Sequence, residues 1–343
     1  NFYSIDRSKG QTHESMFVMS IALLIFLPKI LIAFPLLLQD ILRFFVGLTQ
    51  KISGQETERF LPERRKFVTQ IALGIAAVPF FSIIYGMAKG KYNFKVVKQT
   101  LFFDDLPDAF DGFKLTQISD IHCGSFDDPE KIQYAVDLIN EQDSDLFVFT
   151  GDLVNSLADE IDPWIKILSQ IKTHKYGNYS ILGNHDYGEY VSFKTPEEKA
   201  KNFQEIKNNH SKIGFNLLLN QNVSLQKNSG KIDLVGVENW GLKFKKAGEL
   251  KRASEGLKPE SFKILLSHDH SHWEAEVVNN PMNYGLTLSG HTHGMQFGIE
   301  IPGYFQWSPI KYLYPQWAGL YKKGKQSIYV NRGFGFHAFA GRV

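Results

Sequence analysis

Apolar and polar positions divide the chain into two parts with different periodicities. Met16 to Leu48 is almost wholly apolar, interrupted by Pro28, Lys29, Pro35, Asp40 and Arg43, and Phe67 to Met87 carries no charge at all. A spanning helix needs about 20 apolar residues, so the pattern predicts transmembrane helices over about 16–38 and 67–87. The first is expected to be kinked or re-entrant, with Lys29 snorkelling or facing a partner helix. Residues 1–91 therefore read as a membrane-anchoring region and 92–343 as a globular domain.

From Tyr92 onward the periods are those of a folded core. Asn93 to Phe103 alternates as an opening strand should. Short apolar runs then predict strands at Phe113–Ser119, Asp145–Thr150, Tyr179–Leu182, Lys231–Val237, Lys263–Ser267, Gly285–Leu288 and Ser327–Val330. Helical spacing falls between them, at Pro129–Gln142, Pro163–Ile171 and Thr195–Ile213. Repeated strand–helix alternation argues an α/β architecture, and about 250 residues are enough for one large, well-buried domain.

Charge and cysteine content narrow the picture. Thirty-eight basic and 36 acidic side chains leave a net charge of +2, so no bulk field points to a nucleic acid. The single cysteine, Cys123, excludes a disulfide scaffold or a thiolate zinc knot and is expected to be a small buried filler. Arg64, Arg65 and Lys66 precede the second apolar run. By the positive-inside rule they stay cytoplasmic and send everything after Met87 to the outer side, although Lys89, Lys91, Lys95 and Lys98 make the asymmetry shallow. Arg64 to Val68 also looks like a twin-arginine export signal, which implies the same side. Because it opens on Asn1, the chain is expected to be a fragment or a processed product.

Five short motifs follow directly on predicted strand ends: Ser119-Asp120-Ile121-His122, Gly151-Asp152, Gly183-Asn184-His185-Asp186, Ser267-His268 and Gly290-His291-Thr292-His293. In open α/β sheets, sites form beyond the carboxyl ends of strands, where such loops converge. Imidazole and carboxylate with one amide and no thiolate suit manganese, iron or zinc. Seven ligand candidates are too many for one ion and suit two ions, with a shared carboxylate. Glycine before Asp152, Asn184 and His291 permits tight turns and close backbone approach.

Taken in order, these motifs resemble the calcineurin-like metallophosphoesterase superfamily, whose pattern runs D-x-H, G-D, G-N-H-D/E, H and G-H-x-H; the likeness covers about Phe113 to Gly333. The N-terminal segment with Ser119–Gly124 and Gly290–Gln296 is similar to its membrane-tethered YkuE-like branch, which usually has glycine where this chain has Met295. The resemblance implies a four-layer α/β/β/α sandwich of two mixed sheets behind N-terminal transmembrane helices. It implies that one metal takes Asp120, His122 and His293, the second Asn184, His268 and His291, and that Asp152 bridges them. A metal-bridging hydroxide would attack phosphorus. His185 would sit by the leaving oxygen as general acid or charge stabiliser, with Asp186 orienting it. One histidine is needed near position 268, so His270 and His272 are not counted. Arg332 is a further candidate for a substrate phosphate.

The function this implies is hydrolysis of a phosphate mono- or diester on a lipid-linked or cell-envelope substrate, outside the cytoplasm; no protein partner is inferred. Two alternatives are a cytoplasmic-facing pyrophosphatase of the UDP-diacylglucosamine type and a non-catalytic membrane adaptor that binds metal. Ile301 to Tyr321 is dense in tyrosine and tryptophan; a covered loop is favoured there over a lipid-facing lip.

Overall fold

Two sheets face each other, each with helices or turns on its outer side. The computed structural model describes residues 9–54, 62–301 and 304–343. The first sheet has four parallel strands in the order β1 (Leu115–Ile118), β2 (Leu146–Phe149), β3 (Asn178–Ser180) and β4 (Asn216–Leu217). The second has six. Its order is β11 (Gly319–Lys323), β12 (Gln326–Val330), β8 (Tyr284–Ser289), β7 (Lys263–Leu266), β6 (Gly230–Gly236) and β5 (Gln221–Lys227). The four central strands run parallel and the two outer ones antiparallel. The six-stranded sheet is thus mixed, whereas the four-stranded sheet is parallel throughout.

Side-chain alternation explains the layering. Leu146 and Val148 of β2 point inward and join Leu234 of β6, Leu266 of β7 and Leu288 of β8 in the core between the sheets. Phe147 and Phe149 point the other way, against Phe215 and His210. Both faces of β2 are buried, as its unbroken Leu-Phe-Val-Phe run requires. Outside the first sheet lie α3 (Pro129–Asn140) and α5 (Pro196–Lys212). Asp128 and Thr195 cap their first turns by accepting backbone N–H bonds. On the far side of the second sheet, Val235, Leu265 and Ile328 pack with Ala253 of α6 (Leu250–Ala253) and with Trp273 of a π-helical turn. This is the expected four-layer arrangement.

Three sequence expectations change. Asn93–Phe103 forms no strand: its apolar residues are spent on tertiary contacts, Phe94 against Phe334 and Leu101 and Phe103 against the inter-sheet core. The helix expected at Pro163–Ile171 is a 3-10 stretch, Ala158–Trp164, followed by one short helix, α4 (Ile165–Leu168). Ile301–Tyr321 is not uniformly covered. Trp317 is buried, while Tyr304 and Tyr312 stand exposed; positions 302 and 303 lie outside the described residues.

The chain's contacts separate two units, residues 1–13 with 92–338, and 14–91 with 339–343. The second unit consists of α1 (His13–Ser53), α2 (Pro62–Ala88) and the last five residues, whose Ala340 N–H donates to Ser20 Oγ at 3.0 Å. Both helices are long and apolar enough to cross a membrane. At about 1.5 Å per residue, the 41 residues of α1 outrun the about 30 Å of a hydrocarbon core. It continues through Pro28 and Pro35. Of the basic cluster, Arg65 and Lys66 lie in the first turns of α2, whereas the Arg64 side chain and residues 55–61 lie outside the described residues.

Candidate metal centre

Every expected ligand lies on a loop that leaves a parallel strand at its carboxyl end. Asp120 and His122 follow β1, Asp152 follows β2, Asn184 follows β3, His268 follows β7, and His291 and His293 follow β8. Backbone bonds lace these loops together: Asp120 N–H donates to Gly151 O (2.9 Å), His122 N–H to Asp152 O (3.1 Å) and Gly290 N–H to His268 O (3.0 Å). Across the sheets, His291 N–H donates to the Asp120 carboxylate at 3.0 and 3.1 Å. Glycine is required at two of the crossings. A Cβ at position 183 would overlap Asp152 Oδ1, and one at position 290 would overlap Ser119 Oγ and Asp120 Oδ2.

The donor atoms converge. His293 Nε2 is 3.3 Å from Asp120 Oδ1, His122 Nε2 is 3.6 Å and His268 Nε2 is 3.1 Å from Asp152 Oδ2, and His291 Nδ1 is 2.8 Å from Asn184 Oδ1. Asp120 with His122 and His293, and Asp120 with Asp152 and His268, each bring donor atoms within 4.8 Å of one another. Asp120 is common to both groups, and Asp152 Oδ2 faces an imidazole of each, His122 and His268.

Hydrogen bonds fix which ring nitrogens face inward. His268 Nδ1 donates to Thr150 O at 2.7 Å, and His122 Nδ1 donates to Asn155 Oδ1 at 3.0 Å. His122 is then left with a bare Nε2, buried and without a hydrogen-bond partner among the described residues, while His268 Nε2 faces Asp152 Oδ2 at 3.1 Å. A buried lone pair aimed at carboxylates fits a bound cation. Burial alone would lower His268, yet the Asp152 and Asp120 carboxylates lift it to about 10, so without an ion this ring carries a proton that a bound cation would displace. Burial raises Asp120 to about 6 and lowers His291 to about 4, the neutral imidazole a metal requires.

The remaining candidates fall in varied places. His185 Nδ1 donates to Asn155 O at 2.8 Å, which turns its Nε2 the other way. Asp186 does not hold that ring, contrary to expectation. Its carboxylate accepts the backbone N–H groups of Asp152, Leu153, Val154 and Gly183 at 2.8 to 3.3 Å, binding two site loops together. Arg332 is engaged by Glu300 through two bonds of 2.8 and 2.9 Å, a surface ion pair in place of the expected phosphate contact. His272 bonds Ser267 Oγ and stacks on Trp240, and Cys123 is buried.

Three residues escaped the sequence reading. Asn155 serves both His122 and His185 and is itself fixed by Ser125. Asp269 places Oδ2 3.6 Å from His291 Nε2 on the side away from Asn184. His337 stacks on His122 with ring centres 4.7 Å apart and meets His185 edge-on at 4.4 Å. Only Asp269 had a local signal, its place beside His268. Carboxylates behind a ligating imidazole set its orientation, and their loss typically costs about 10–100-fold. Asp269→Asn is therefore expected to weaken metal affinity by about that factor. A metal titration followed by activity measures it, and an unchanged affinity would remove Asp269 from the site.

Comparison with known proteins agrees with this geometry. The family model "Calcineurin-like phosphoesterase" matches residues 113–295, more than half the chain, and the model "Probable Calcineurin-like phosphoesterase, transmembrane domain" matches residues 1–91. The Bacillus subtilis "Uncharacterized metallophosphoesterase YkuE" is 31% identical over 258 residues, 73% of this chain and 82% of the relative. A Danio rerio "Transmembrane protein with metallophosphoesterase domain" is 28% identical over 80% of this chain, which spans 60% of that relative's length. The "UDP-2,3-diacylglucosamine pyrophosphatase LpxG" of Chlamydia muridarum is 25% identical over 65% of this chain and 78% of its own. The chain belongs to the calcineurin-like metallophosphoesterases, hydrolases of phosphoesters, and carries the membrane segment of a transmembrane branch.

Proposed function

We propose that residues 1–91 anchor the chain in a membrane and that residues 92–343 hydrolyse a lipid-linked or cell-envelope phosphate ester at two divalent ions, manganese, iron or zinc. The convergence of Asp120, His122, Asp152, Asn184, His268, His291 and His293 from five strand ends carries this reading. Asp120, His122 and His293 would hold one ion and Asn184, His268 and His291 the other, with Asp152 available to both. Such ions supply a water nucleophile near neutral pH and offset charge growing on the phosphoryl oxygens.

The chain's own groups do the rest. Asn155 O accepts from His185 Nδ1, so Nε2 is the atom that His185 offers to the substrate. Protonated, it donates to the leaving oxygen, and phosphoryl charge beside it favours that form. Asn155 and Asp269 keep the imidazoles in register.

The test is hydrolysis of a chromogenic phosphodiester and monoester by the detergent-extracted chain. Turnover is expected to disappear on chelation and to return with manganese. Failure of every metal to support turnover in the wild-type chain would sink the proposal.

The Chlamydia relative motivates a second reading, a cytoplasmic-facing pyrophosphatase acting on a nucleotide-activated lipid. Topology separates the two. The basic residues in the first turns of α2, ahead of its apolar stretch, favour a catalytic unit outside the cytoplasm, so a reporter active only in the periplasm, fused after Val343, is expected to be active. A silent periplasmic reporter with an active cytoplasmic one would favour the pyrophosphatase.

A further inference from the structure

The short hairpin that follows the His291–His293 loop has its polarity reversed. Its strands are β9 (Ile299–Ile301) and β10 (Phe305–Trp307), paired so that Ile301 faces Phe305, Glu300 faces Gln306 and Ile299 faces Trp307. Opposed residues in an antiparallel pair share a face. Glu300 and Gln306 therefore lie together on one side, where Glu300 receives Arg332 while staying 47% exposed and Gln306 donates to Ala318 O at 3.1 Å. Ile299, Ile301, Phe305 and Trp307 share the other side, which faces out. Ile299 and Ile301 are each 54% exposed and Phe305 49%. A ribbon that binds the protein by its polar face and offers water its apolar face is built to be covered.

The surface continues to the candidate metal centre. Ser308 Oγ bonds Gly294 O and Phe297 O, fixing the end of β10 to the loop that carries His293. Nearby, Tyr312 and Leu313 are 74% and 66% exposed and precede Tyr314, whose hydroxyl lies 3.3 Å from His291 Nε2. Tyr304, after the hairpin's turn, is 91% exposed.

We propose that this hairpin face, with Tyr304, Tyr312 and Leu313, inserts into the interfacial layer of the lipid bilayer and draws the rim of the metal centre to the membrane surface. Three observations select lipid as the occupant. The same chain carries a membrane segment, so its catalytic unit works beside a bilayer. The outward face mixes isoleucine and phenylalanine with tyrosine and tryptophan, the side chains that favour the water–lipid boundary, and holds no charge. Its footprint is also small. Two three-residue strands give a face of about 10 Å by 10 Å, far below the roughly 800 Å² per partner of a stable protein interface.

Cys123 is the only cysteine and is buried, which makes a site-specific label practicable. Tyr304→Cys and, as a reference, Tyr134→Cys on exposed α3 are labelled with an environment-sensitive fluorophore. The full chain is reconstituted in vesicles of phosphatidylethanolamine and phosphatidylglycerol. A label at position 304 seated about 5–10 Å into the interface is expected to shift to the blue and to lose about half its emission to brominated acyl chains, whereas the label at 134 does neither. Adding Ile301→Asp is expected to abolish the quenching at 304. The proposal is overturned if the 304 label responds only to aqueous iodide, if its shift appears only as protein is crowded at fixed lipid, or if Ile301→Asp leaves the quenching intact. None of these readouts needs turnover, so failure of this surface and failure of the catalytic reading are told apart.

Discussion

Asp152→Asn is expected to lower kcat on a phosphodiester by on the order of a thousandfold and to reduce bound metal from about two ions per chain to one or fewer. Asp152 faces imidazoles of both proposed ligand sets, 3.1 Å from His268 Nε2 and 3.6 Å from His122 Nε2, more closely than Asp120, which lies 3.3 Å from His293 Nε2 and 4.0 Å from His268 Nε2. An amide keeps its shape and its bond to the His185 N–H but removes the charge that the two proposed cations would share. A bound cation stabilises the transition state by several kcal/mol, and each 1.4 kcal/mol is about tenfold in rate. Metal analysis and steady-state kinetics on the same preparation check both halves. Full metal content with unchanged kcat would show that Asp152 bridges nothing.

The second large effect is on folding. Asp186→Ala strands four buried backbone N–H groups, those of Asp152, Leu153, Val154 and Gly183. Each orphaned donor costs about 1–3 kcal/mol. Partial relaxation leaves a net loss of about 4 kcal/mol or more, which for a unit of this size lowers Tm by roughly 10 °C. Asp186→Asn should be little better, because its NH2 group would meet N–H donors. A thermal melt of the purified chain with and without metal reads the loss. A variant that melts with the wild type would mean that the four bonds are made to water instead.

How much of this was legible in the sequence follows from how local each signal is. The ligands were legible because each stands two to four residues beyond the end of a parallel strand, as Asp152 does beyond the buried apolar run Leu146–Phe149. Asn155 and His337 were not, because what matters about them is a distance across the fold: His337 reaches His122 from more than 200 positions away in the chain. Gln221–Lys227 hid for another reason. As an outer strand of largely polar residues it depends on its partner's backbone rather than on its own periodicity. Arg332 shows the converse, since a cation beside a strand end reads as a phosphate ligand while its pairing with Glu300 is invisible in the sequence.

Five of the proposed ligands, Asp120, His122, Asp152, His291 and His293, have left-handed backbones, with φ between 50° and 79°. A left-handed backbone costs an L-residue about 1–2 kcal/mol, less for aspartate, asparagine and histidine, which adopt it more readily, and glycine escapes the cost. Selection for folding alone would therefore let these positions drift, most favourably to glycine, and selection for the chemistry holds the ligands in place. In a lineage that has stopped using this centre, glycine and asparagine should accumulate first at these five positions, while the core is still intact. A descendant carrying them should fold at least as well as this chain and bind no metal, so stability gained at these positions would itself record that the enzyme has been retired.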